Sequence, residues 1–211
     1  RINRPGDAVA VFKTVDPASP FVKDWLPYWN FYSFAHHMRG DHKKEVAVAR
    51  RAQKFYPDKH SPLIYEIRAQ AALGRTAKIE RLIKKSQTLP PEPDRDPRFY
   101  YFEAGRELRA HGYRKESLDY MERALAWLRN RPDSEKKASA FRRSLAYCLY
   151  WAEKWEEAKA EFESLSGEAP DNLNYRSLLG CIAVKLGNRE KAQEIFDELG
   201  KVERPYLFGA I

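Results

Sequence analysis

Cysteine and methionine are scarce, two of each in 211 residues. Cys148 and Cys181 allow at most one disulfide, which excludes a scaffold held together by several bridges. Both cysteines fall inside helical patterns, where two buried thiols fit better than a bridge. No apolar run approaches the roughly 20 residues of a membrane span. No signal-peptide pattern is present, and the chain opens on Arg1 rather than methionine; a cytoplasmic setting is expected. Glycine-rich phosphate loops are absent, since Gly74 and Gly112 stand singly between helical patterns. There is no glycine-flanked nucleophilic serine and no His/Cys cluster at metal-ligand spacing. His36 and His37 are adjacent, so on a helix their rings point about 100° apart and share one ion poorly; His42 and His60 follow in sequence. Cys148 and His111 carry no local signature of a nucleophile pair. Glu156-Glu157 and Glu161 with Glu163 fall on polar helix sides. No catalytic residue, metal site or cofactor is therefore expected, and the chain reads as non-enzymatic.

The hydrophobic fraction of 43% and aromatic fraction of 13% argue against disorder. The formal net charge is +8, and all of the excess lies between Arg39 and Lys85, where 13 basic residues face 5 acidic ones. A solvated outer helix face accounts for such a run; the alternative is a site for nucleic acid or another anionic surface. No aromatic–basic interleaving of the RNA-binding-sheet type and no DNA-binding motif accompanies it, so nucleic acid is the less favoured partner.

The informative pattern is a repeat. From Leu178 to Leu199 two amphipathic helices flank a turn at Leu186-Gly187-Asn188. Leu178, Leu179, Ile182, Ala183 and Leu186 recur at three- and four-residue steps, as do Ala192, Ile195, Phe196 and Leu199 after the turn. With Gly187 as marker, Gly180 stands seven before, Ala192 five after and Phe196 nine after. Centred on Glu153, the same template finds Ala146, Ala158 and Phe162. Gly112 gives Gly105, Ser117 and Met121; Gly74 gives Ile79 and Ile83; Gly40 gives Ala49, with Glu45 where a small residue is expected. The markers are 34, 38, 41 and 34 residues apart. Small residues at the matched places let paired helices approach closely, while the large one fills the gap beside them.

A helix–turn–helix unit of this period resembles the tetratricopeptide repeat (TPR). The resemblance implies an all-α solenoid over residues 1–211, with an orphan helix at 7–17 and pairs at 21–57, 60–91, 97–132, 134–170 and 171–205. The tracts WLPYWNFYSFAHHMRGDHKKEVAVARRAQKFYP and LAYCLYWAEKWEEAKAEFESL are similar to TPR tracts of bacterial signalling and transcription regulators. In TPR arrays the first helix of each pair lines a concave groove. Carried onto this chain, the groove positions include Asn30, Phe34, Arg68, Phe102, Arg106, Arg109, Arg143, Tyr147, Tyr150, Trp151 and Lys185. Arginine and aromatic residues dominate binding hot spots, so the implied function is a scaffold module that binds a protein or peptide carrying acidic or carboxylate groups. The Lys/Asn/Arg clamp with which some TPR proteins hold a peptide's C-terminal carboxylate is not reproduced, because Phe34 and Ile64 occupy matching places.

Prolines punctuate the rest. Pro17 and Pro20 end the orphan helix, and Pro90, Pro91, Pro93 and Pro97 make a stiff connector or docking loop. Both ends lack the polar capping helix of a solenoid. Weak self-association is expected through Val9, Val11, Phe12 and Val15 at one end and Tyr206, Leu207 and Phe208 at the other.

Overall fold

The computed structural model describes residues 4–17, 19–23 and 25–201, and helices are the only regular elements among them. The N-terminal helix α1 (Pro5–Thr14) and the short α2 (Pro20–Lys23) precede α3 (Leu26–Met38) and α4 (His42–Phe55). Then come α5 (His60–Ala72) with α6 (Thr76–Ser86), and α7 (Pro97–Ala110) with α8 (Arg114–Arg129). A single turn, α9 (Asp133–Lys136), leads to α10 (Ser139–Trp151) with α11 (Trp155–Glu168) and α12 (Leu173–Lys185) with α13 (Arg189–Gly200). Five helix–turn–helix pairs thus follow one N-terminal helix, as the repeat pattern predicts. The fourth pair starts differently. Within the segment 134–170 expected to hold two helices, a further break falls at Ala138, whose backbone is extended (ψ 133°). The Ala138 carbonyl accepts from the Arg142 amide at 3.0 Å and so opens α10. No proline or glycine marks this break in the sequence.

All five turns are built the same way. The marker residue is left-handed in each: Gly40, Gly74, Gly112 and Gly187, and also Glu153 at φ 60°. The next residue's amide then reaches back to a carbonyl five positions earlier, at 2.9–3.0 Å: Asp41 to His36, Arg75 to Gln70, Tyr113 to Leu108, Lys154 to Leu149, Asn188 to Ala183. This is the hydrogen-bond pattern that ends a helix with a left-handed residue and satisfies its last carbonyls.

The chain divides into two compact units, residues 1–124 and 125–211. In the first, Val22, Tyr28, Trp29 and Ala52 form one apolar cluster, against which Phe12 and Val15 of the N-terminal segment pack. Val9 is buried as well, so of the four apolar residues expected to make that end sticky only Val11 is exposed. Leu63, Ile67, Ile79, Ile83, Tyr100 and Leu108 form a second cluster. In the second unit Ala146, Leu149, Ala158, Phe162, Leu165 and Ile182 are buried. Each fully buried side chain of Leu, Ile or Phe size contributes about 1.5–3 kcal/mol relative to exposure. Close approach explains the small residues: a Cβ at Gly105 would lie 2.7 Å from Met121 Cε and 3.2 Å from the Ser117 carbonyl, and one at Gly180 2.9 Å from the Phe196 ring. No disulfide joins Cys148 and Cys181. Tyr206, Leu207 and Phe208 lie outside the described residues.

The proline-rich connector is pinned rather than free. The Pro90 carbonyl can only accept, so His60 Nε2 donates to it at 2.7 Å. His60 Nδ1 then accepts from the Tyr100 hydroxyl, whose pKa burial pushes up to about 12. Asp96 closes the connector by accepting from the Phe99 amide at 3.1 Å, capping α7.

Candidate functional site

The first-helix residues fall into two groups, one per unit. In the first unit Asn30 is turned inward, its Oδ1 accepting from Ser61 Oγ at 2.6 Å, and so ties α3 to α5. Phe34 is exposed on α3 and, with Phe12, Phe31 and Met38, borders a cleft of about 290 Å³. On α5 the Arg68 guanidinium lies over Tyr65, 5.9 Å from the ring centre, with Nε 3.6 Å from the Glu107 carboxylate. On α7 the Arg106 guanidinium lies 5.6 Å over Phe102 and 3.4 Å from Glu103. Arg109 is half-buried one turn further on. In the second unit Arg143 and Lys185 are exposed. Tyr147 packs edge-on against Phe162 at 5.4 Å; Tyr150 does so against Trp151 at 5.7 Å and Trp155 at 5.5 Å. Burial raises the pKa of the Tyr150 hydroxyl. Among these first-helix residues, Arg68 and Arg106 lie over rings in the first unit, and Tyr147 and Tyr150 pack ring to ring in the second.

Within the first unit a second constellation forms that the residue spacing did not reveal. The left-handed turn at Gly40 folds α4 back along α3, bringing Glu45 and His42, one turn apart on α4, up to His37. His37 Nδ1 is 3.1 Å from Glu45 Oε2 and His42 Nδ1 is 3.2 Å from the same oxygen. The other side of the His37 ring faces α7: Nε2 is 3.3 Å from Glu107 Oε1, which is also 3.0 Å from His111 Nε2. The His42 and His111 rings meet edge-on at 4.7 Å. Glu45 has 0% side-chain exposure, and its Oε1 has no hydrogen-bond partner among the described residues. Neighbouring His36 points elsewhere, 3.5 Å from Asp41, with burial holding its pKa below the ordinary range. The two adjacent histidines do diverge as helix geometry predicts. The missed partners were His111 and Glu107, some 70 residues away in sequence. One signal was present: Glu45 occupies the repeat position where a small residue is expected.

The basic stretch between residues 39 and 85 borders a cleft of about 720 Å³, lined by Lys43, Arg50, Arg51, Lys54 and Arg75 with Val46, Ala47 and Phe55. Arg50 also donates to Glu66 at 2.7 Å, and Arg51 lies 5.8 Å over Trp29.

Solved structures place this architecture among TPR proteins. A TPR protein from Parabacteroides merdae is 14% identical and superposes over 95% of this chain and 74% of its own, with a TM-score of 0.55. PilW, a type IV pilus biogenesis factor, is 18% identical over 94% of this chain and 88% of its own, TM-score 0.56. The TPR-like repeats of a Podospora anserina putative kinesin light chain are 18% identical over 83% and 92%, TM-score 0.53. The chain therefore has the TPR-like helical-repeat fold. No protein-family model and no curated protein matches its sequence. No helix among the described residues is long and apolar enough to cross a membrane.

Proposed function

We propose that the chain is a non-enzymatic module that binds a protein or peptide through the first helices of its pairs, within a larger bacterial regulatory protein. The binding residues in the first unit are Asn30, Phe34, Arg68, Phe102, Arg106 and Arg109; in the second they are Arg143, Tyr147, Tyr150, Trp151 and Lys185. The observation that carries the reading is the pairing of arginine with ring on two successive first helices, Arg68 on Tyr65 and Arg106 on Phe102. A guanidinium over a ring can grip a carboxylate at two points, while the ring beneath buries apolar surface at small entropic cost; Arg68 and Arg106 already face Glu107 and Glu103, so a partner's carboxylate would have to compete with those pairs. An acidic side chain or a chain-terminal carboxylate is the matching group.

The test starts from peptides selected against the chain from a random library with free carboxyl ends. Arg106→Ala should weaken peptides selected on the first unit, and Tyr150→Ala those selected on the second, each at least about tenfold, as truncation of a hot-spot residue does, with helicity unchanged. Lys84→Ala/Lys85→Ala should alter mainly the salt dependence. The cleft lined by Lys43, Arg50, Arg51, Lys54 and Arg75 supports a second reading, an anionic or nucleic-acid surface. Under that reading the lysine pair abolishes binding, a labelled oligonucleotide binds with a steep salt slope, and the first-helix variants do nothing.

A further inference from the structure

At one of the five matched positions after the turn marker the chain carries a carboxylate, and that carboxylate is buried. Five residues after the turn marker the other pairs carry Ile79, Ser117, Ala158 and Ala192, all buried against the partner helix. The first pair carries Glu45, fully enclosed, with both His37 and His42 turned onto one of its oxygens. A carboxylate taken out of water needs a compensating charge. The Arg68 guanidinium faces Glu107, with Nε 3.6 Å from its carboxylate.

We propose that His37, His42 and Glu45 form a binding site for a divalent transition-metal ion, zinc by its ligand types. One ligand atom from each of His37, His42 and Glu45 lies within 4.8 Å of the other two. Ligand bonds of about 2.0–2.1 Å in a tetrahedron set neighbouring ligand atoms about 3.3 Å apart, and the two N···O separations here are 3.1 and 3.2 Å. Two imidazoles and one carboxylate leave a fourth place open for water or an exogenous donor, the arrangement of an open zinc site. The surroundings fit as well. A metal-bound histidine characteristically donates its remaining N–H to a carboxylate, which fixes ring orientation and tautomer. His37 Nε2 has that partner in Glu107 at 3.3 Å, and Glu107 is in turn held by Arg68 and His111. In this reading Glu45 is a ligand, Glu107 is a positioning residue, and the cluster draws α3, α4 and α7 onto one ion.

The repeat supplies a clean test. Glu45→Ala installs the residue found at this position in the fourth and fifth pairs, so the variant is expected to fold. The chain is titrated with zinc chloride against a chromophoric chelator, and thermal melts are recorded with and without the ion. Wild type should bind one zinc ion per chain and melt higher with it. Glu45→Ala should lose at least about tenfold in affinity and show no zinc-dependent shift, and His42→Ala should behave alike. Glu107→Gln should cost about 10–100-fold while keeping the stoichiometry. Substitution with cobalt(II) reports the donor set directly, since a tetrahedral site gives intense visible absorption that Glu45→Ala should abolish. If wild type binds zinc no better than Glu45→Ala does, the site is not a metal site and the cluster is a hydrogen-bonded network alone.

Discussion

The two units solve the same packing problem with different interiors. Among the described residues, every buried polar or charged side chain lies in the first: Ser33, His36, Glu45, His60, Glu66, Gln70, Ser86, Glu107 and Ser117. The second buries apolar groups alone, among them Leu149, Phe162, Leu165 and Ile182, with the Cys148 thiol and the Tyr175 ring. All five histidines belong to the first unit as well. Repeat packing by itself needs only small and large apolar residues in register, and the second unit shows it. The first unit adds polar ties to that scheme: His60 holds the connector at Pro90, and Glu66 on α5 is held by Arg50 and Gln53 on α4. Buried ionic and hydrogen-bonded groups add little net stability, because desolvation offsets their attraction. They do make neighbouring side chains depend on one another, so that removing one leaves the others exposed to the full cost of burial. The metal proposal falls in this unit, where the buried polar groups and all five histidines lie.

If the contrast holds, the largest single effect on stability comes from the apolar interior. Phe162 is fully buried, edge-on to Tyr147 at 5.4 Å and 5.9 Å from Tyr175. Phe162→Ala should destabilise by about 3–5 kcal/mol, the usual sum of lost transfer energy and residual cavity, measured by urea denaturation. A loss below about 1 kcal/mol would mean that the second unit collapses around the void, and that its interior is less tightly packed than its burial indicates.

The corresponding change in the first unit removes no volume. Tyr100→Phe deletes one hydroxyl and leaves His60 Nδ1 buried without its donor, while His60 still donates to the Pro90 carbonyl. The expected cost is about 1–3 kcal/mol, the penalty for an orphaned buried polar group. Amide exchange should also quicken along the connector from Pro90 to Asp96, which His60 pins. An unchanged exchange pattern there would mean that the bond from His60 to the Pro90 carbonyl holds the connector without help from the Tyr100 hydroxyl.

How much of this was legible follows from the distance over which each feature is written. The pairs, their turns and the close-approach positions Gly105 and Gly180 are local, set by residues within about a dozen positions of a marker, and the sequence pattern places them. The half-buried state of Tyr147 and Tyr150 was not legible, since a ring at a groove position packs and presents an edge at once. The cluster at His37 escaped because it joins α3 and α4 to α7 through contacts that no local spacing encodes. What the sequence did hold was the anomaly at Glu45, a charge at a small-residue position. The break at Ala138 had no such marker.

The smallest effect tests the turn rule itself. Four markers are glycines, and the fifth, Glu153, sits at φ 60°. Its turn has the shared hydrogen bonds, Glu153 amide to the Tyr150 carbonyl at 3.1 Å and Lys154 amide to the Leu149 carbonyl at 2.9 Å. A residue with a Cβ pays roughly 1–2 kcal/mol for the left-handed conformation, whereas glycine meets no steric cost there but loses more freedom on folding, about 0.5–1 kcal/mol. The first quantity exceeds the second, so Glu153→Gly should stabilise the chain by about 0.5–1 kcal/mol. The control lies in the same unit. Gly187 is at φ 81°, and a Cβ added there would meet nothing within 4 Å, so Gly187→Glu brings backbone strain and no clash. It should destabilise by a similar amount. Opposite signs for the two exchanges, read by urea denaturation, would establish backbone conformation as the cause. Destabilisation by both would show that the Glu153 side chain holds contacts worth more than its strain, and that the second unit, too, keeps a polar interaction of consequence.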